Sequence, residues 1–110
     1  MFLTVELSPW RSTLEAVARG VVEQAIDDEL NDRRLELNHN TFKRFEEMGI
    51  LADAESAMFG KIYAEAFSYF INFKMHSREP ISLKEMEEFE RVIDRRVFEI
   101  KGRIRHLSGR

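Results

Sequence analysis

Cysteine is absent from this chain, which excludes a disulfide framework, a thiolate metal site and a cysteine nucleophile. Only two prolines and five glycines punctuate its 110 residues, so long regular elements are expected. No apolar run approaches the ~20 residues that span a bilayer. Lys61, Glu65 and Lys74 interrupt the best candidate. The opening MFLTVELSPW has no basic n-region and only a short apolar stretch, so it does not read as a secretory signal. These absences predict a single soluble domain, cytoplasmic, with no membrane partner.

What is present in excess is apolar surface on one segment. At about 100° per residue, with Ile62 at zero, the apolar side chains between Met58 and Phe73 sweep from about −40° to 180°. Lys61, Glu65, Ser68 and Asn72 share the remaining gap, with Ala57, Gly60 and Ala64 at its edge. A surface helix needs an apolar stripe of only a little over ~100°. This helix asks to be enclosed, which strains the apolar supply of so short a chain and predicts a second copy.

The remaining punctuation predicts an all-α fold of three long helices and one short one, completed by homodimerisation. Ser8-Pro9 reads as the start of a helix over 8–37, preceded by an extended arm over 1–7 whose apolar residues alternate. Along that helix Trp10, Leu14, Val17 and Val21 share one azimuth. Val22, Ile26, Leu30 and Leu37 share another, the exchange falling at Gly20. Asn40 is placed to cap a short helix over 41–48, closed by Gly49. Asp53 caps the enclosed helix, 53–76, and His76–Pro80 is a loop. Ser82 with Glu85 forms a capping box that opens the last helix, 83–107.

That last helix carries a seam of Met86, Phe89, Ile93, Val97, Ile100, Ile104 and Leu107, close to a coiled-coil spacing. Its other side predicts i,i+4 pairs between Glu87 and Arg91, Arg95 and Glu99, and Glu99 and Arg103. Phe98 violates the pattern, pointing about 140° from the seam, and predicts a second contact. Charge is uneven as well. Residues 1–90 hold 10 Lys/Arg against 18 Asp/Glu, and residues 91–110 hold 7 against 2. The basic end complements a helix C-terminus, and it is also the segment where Arg95, Arg96, Lys101, Arg103, Arg105 and Arg110 suit an anionic partner such as nucleic acid.

Motifs for chemistry are sparse. Asp28, Asp32 and Glu36 at i, i+4, i+8 share one face of the expected first helix, a spacing that can hold Mg²⁺, although Arg33 and Arg34 neutralise much of the cluster. The run Glu46-Glu47-Met48-Gly49-Ile50 resembles locally the paired-glutamate helix of the MazG-like nucleotide pyrophosphohydrolases, which hold Mg²⁺ with EExxE followed by ExxD. Here the third acid position is Ile50, and Glu65 leads to Ser68 where aspartate is needed. The resemblance implies a divergent Mg²⁺-dependent nucleotide hydrolase as a further alternative. Arg34 and His39 have the R-x4-H spacing found in HEPN ribonucleases, with an apolar residue after the arginine. His39, His76 and His106 share no metal-ligand spacing, and neither a G-x-S-x-G elbow nor a glycine-rich phosphate loop occurs.

The sequence therefore predicts a non-catalytic helical interaction module, an adaptor, inhibitor or regulatory subunit, with no cofactor, metal or catalytic residue. Its expected partners are a second copy of itself and an unidentified protein, met through Phe98, Arg95, Arg103 and Arg105. The alternative is a nucleic-acid-associated regulator using the basic C-terminal helix.

Overall fold

A computed structural model describes the backbone of residues 2–109 and the side chains of residues 16–109. Four α-helices follow one another: α1 (Phe2–Glu29), α2 (Asp32–Glu47), α3 (Ala54–Ser77) and α4 (Leu83–Ser108). No strand occurs among the described residues. The extended arm expected over 1–7 is instead helical backbone from Phe2, and Ser8-Pro9 does not start the helix.

The first long helix is broken where the sequence reading ran it through. Asn31, at φ −55° and ψ 132°, leaves the helical conformation, and its side chain accepts from the backbone N–H groups of Arg33 and Arg34. An asparagine that satisfies two orphan donors ends one helix and caps the next. α2 therefore begins at Asp32, eight residues before the expected cap at Asn40. The break also resets the helical phase. Leu35 turns inward and is buried, whereas Leu37, expected to extend the Val22–Ile26–Leu30 stripe, is 66% exposed. A change of buried face thus occurs at Leu30–Asn31; within α1, Val17 is exposed and Val21 half-buried while Val22 and Ile26 are buried. Trp10 and Leu14 lie outside the described side chains.

The other expected boundaries are present. Gly49, at φ 78°, follows the α2 C-cap Met48; a left-handed residue there suits glycine. Asp53 caps α3 by accepting from the Glu55 N–H. The Ser82–Glu85 capping box opens α4.

Side-chain contacts fix the directions. Glu29 meets Lys61, and α1 runs antiparallel to α3. Arg19 meets Glu88, Arg96 meets Glu23 and Arg103 meets Leu30, so α4 runs parallel to α1. α3 and α4 form an antiparallel hairpin, with Tyr63 on Glu90 and Lys74 on Glu85. The centre of the molecule is α3, which touches all three other helices. Its Met58, Ile62, Ala66 and Phe70 are buried against Val22 and Ile26 of α1, Leu35 of α2 and Phe89, Ile93, Ile100 and Ile104 of α4. Each large side chain so buried contributes about 1.5–3 kcal/mol relative to exposure. Phe89 is the hub, with the rings of Tyr63, Phe67 and Phe70 centred 5.3–5.5 Å away.

Candidate interaction face

The seam of α4 is used as its spacing predicts. Phe89, Ile93, Ile100 and Ile104 are buried, and Met86, Val97 and Leu107 pack against them. Phe98 therefore points away from the bundle and is 87% exposed, the largest value among the exposed large apolar residues. Around it on the same outer face, within about two turns, stand Asp94, Arg95, Lys101, Gly102 and Arg105, all exposed.

The four residues expected to meet a partner separate into two groups. Phe98, Arg95 and Arg105 share the outer face. Arg95 donates only to the Arg91 carbonyl, at 3.3 Å, and Arg105 lies 3.9 Å from Glu55. Arg103 belongs elsewhere: its guanidinium donates at 2.6 Å to both the Leu30 carbonyl and the Asp32 carboxylate. It ties α4 to the α1–α2 break. Arg110 lies outside the described residues.

The expected i,i+4 pairs on α4 are replaced by others. Arg96, about 60° round from Ile93 on the flank facing α1, collects Glu23, Asp27 and Glu99 and donates as well to the Glu23 carbonyl. Hydrogen bonding to Glu99 leads among the causes that raise its pKa, against the opposing pull of burial, and the same bond holds the Glu99 carboxyl below its usual range. Arg91 pairs with Glu88 at i,i+3. The signal that separates Arg96 from Arg95 is helical phase, since only the former lies on a flank that another helix covers.

The acidic stretch is likewise absorbed into structure. Glu29, 1% exposed, accepts from Arg34 and Lys61, each at 2.9 Å, and this pairing raises the Arg34 pKa. Asp27 goes to Arg96, Asp28 to Gln24 and Asp32 to Arg103. Because the chain breaks at Asn31, Asp28 does not share a helix with Asp32 and Glu36. No group of three or more His, Asp or Glu is placed to hold a metal ion among the described residues.

The two local resemblances do not assemble. α2 ends at Glu47, so the positions after the paired glutamates leave the helix, and Glu46 is engaged as acceptor for the Ala54 N–H at 3.0 Å. Arg34 is committed to Glu29, while His39, about 140° round the same helix, lies 3.4 Å from Ser108.

One surface feature has no signal in the sequence. A cleft of about 390 Å³ lies between the first turns of α3 and the outer half of α4, lined by Ser56, Phe59, Val97, Lys101, Ile104 and Arg105. The carboxylates of Asp53 and Glu55 also border it, the former lowered in pKa first by its bond from the Ser56 hydroxyl. The outward strip of α3 exposes Gly60, Ala64, Ser68 and Asn72, bordered by the half-exposed Glu65, while Lys61 turns to Glu29. The cleft needed the helix–helix arrangement to be visible, whereas the strip follows the polar gap expected from helical phase.

Among the described residues, no helix is long and apolar enough to cross a membrane. No family model matches the chain, and neither a curated protein nor a solved structure shows significant similarity to it.

Proposed function

We propose that the chain is a helical interaction module, an adaptor, inhibitor or regulatory subunit that acts as a homodimer through surface complementarity and not through catalysis. The observation that carries this reading is Phe98, 87% exposed on the side of α4 opposite a fully used seam. Fully burying such a ring is worth about 1.5–3 kcal/mol, and aromatic anchors ringed by polar residues are what interfaces concentrate. The way the polar side chains are spent supports it further: Glu29, Arg96, Arg103 and Lys74 all hold helices to one another. Self-association through α4 leaves the outward strip of α3 for a different protein. Sedimentation equilibrium over a range of concentrations tests the reading. The expected result is a dimer that dissociates on dilution, and that Phe98→Glu weakens without loss of helical signal. A 13.0 kDa species at every concentration would overturn it.

A second reading has one specific observation in its favour. An exposed aromatic flanked by Arg95, Lys101 and Arg105 is the pattern on which single-stranded bases stack. With Arg103 and Arg96 occupied, the available phosphate contacts are few. Anisotropy titration with oligothymidylate at low and moderate salt should then show weak binding with a shallow log–log slope of about 1 per phosphate contact. Absence of binding at low salt removes the reading.

A further inference from the structure

The face around Phe98 carries a knob, a flat and both signs of charge. Phe98 projects into solvent, and one turn later Gly102 has open space where a side chain would stand. Asp94, one turn before Phe98, has no ion-pair or hydrogen-bond partner among the described residues, and Arg105, two turns after it, has only Glu55 at 3.9 Å. A surface built for a long polyanion has no use for an unpaired carboxylate beside its aromatic. An isologous contact needs such a mixture, because each feature must meet its own complement on the other copy.

Resting on the homodimer reading, we infer that a second copy of this chain packs its α4 antiparallel on this face. The twofold axis passes near residue 100, so that Phe98 covers Gly102 of the partner subunit and Asp94 pairs with Arg105 of the partner subunit. The two relations agree on one register: in an antiparallel pair facing residue numbers have a constant sum, and 94 with 105 and 98 with 102 give sums differing by one. The helical phases agree too. Asp94 and Arg105 stand within about 20° of each other on the rim nearer α3, with Phe98 next to them and Gly102 beyond. Arg95 lies about 80° from Arg105, on the opposite rim, which keeps the cations of the facing copies apart. The cleft between α3 and α4 borders the same rim through Lys101 and Arg105, so the Asp94–Arg105 pair sits at its edge while the ring lies further round the helix.

The test is charge-reversal complementation in the full chain, read by sedimentation equilibrium with circular dichroism to verify the fold. Asp94→Arg and Arg105→Glu should each weaken the homodimer about tenfold or more, because each sets like charges together twice across the axis. An equimolar mixture of the two variants should form a mixed dimer with near-original affinity, as should a chain carrying both substitutions. Gly102→Gln should raise the unfolding temperature of dilute protein, since glycine is a poor helix former, yet weaken association. If the chain dimerises but Asp94→Arg, Arg105→Glu and Gly102→Gln all associate like the original, the contact lies elsewhere: the inference fails and the homodimer reading stands. If the chain is monomeric throughout, both fail. Oligothymidylate binding by that monomer, lost in Arg105→Glu, would assign the face to nucleic acid.

Discussion

The guanidinium of Arg103 donates to the main-chain carbonyl of Leu30 at 2.6 Å, across 73 residues of sequence. Leu30 directly follows the last residue of α1, so its carbonyl has no helical partner to bond it. One side chain from the last helix thus satisfies the end of the first, and with its contact to Asp32 it spans the break between α1 and α2.

Arg103→Ala should therefore destabilise the protein by about 1–3 kcal/mol, the range for removing a charged hydrogen-bond donor from a carbonyl and a carboxylate. Arg103 is 40% exposed and Asp32 97%, so the ion pair itself contributes little and the carbonyl is the larger share. Urea denaturation gives the value. A midpoint equal to that of the original chain would show that water replaces the arginine at the break.

Glu29→Ala should cost more, about 3–5 kcal/mol, because it strands Lys61 and Arg34 beside a fully buried position. Arg34 is half exposed and can turn to solvent, which places the result toward the lower end. Glu29→Gln, with shape kept and charge removed, should fall between. Equal midpoints for Glu29→Ala and the original chain would mean that the triad is neutral to folding.

Ile93→Asp and Arg95→Ala separate the two sides of α4. Ile93 is 4% exposed in the seam, and a carboxylate there should unfold the protein or cost more than about 4 kcal/mol. Arg95, on the outer face with one long bond to its own helix, should shift stability by less than about 1 kcal/mol. Thermal melts of the two side by side settle the placement of this helix; similar curves would contradict it.

Acid should loosen the α3–α4 turn. Burial pushes the Glu85 carboxyl up, but Lys74 and the Ser82 cap outweigh it and hold the group below 4.5. The Lys74 ammonium, pulled down by burial, is returned above its usual value by Glu85 and Glu79. A carboxyl whose folded pKa is depressed stabilises above its unfolded value and loses that contribution as pH falls through the folded one. Stability should be flat above pH 4.5 for this group and decline below it, while Glu85→Gln should flatten part of that decline. Chemical denaturation at a series of pH values reads the difference. An identical acid limb in Glu85→Gln would shift the assignment to other carboxylates, such as Glu99.

Most of α3 and α4 was legible because their signals are local. The capping box at Ser82, the cap at Asp53 and the positive-φ glycine at 49 each act within a turn, and the α4 seam repeats over six turns. The α1–α2 break was not legible, since no glycine or proline lies near Asn31 and its capping role depends on Leu30 and Leu35 both reaching the core. The candidate face was half legible: phase alone exposes Phe98. The fate of Arg103 depended on a carbonyl 73 residues away, which no spacing announces.

The molecule measures 61 × 22 × 20 Å, with a radius of gyration of 17.2 Å. A compact chain of this length would have about 13 Å. A rod about three times longer than wide meets more friction than a sphere of equal mass. In a sizing column a single copy will run ahead of globular standards of its own weight and imitate a larger species. Elution volume alone would then report two chains where there is one, and only a measurement of mass, by scattering or by sedimentation to equilibrium, distinguishes shape from stoichiometry.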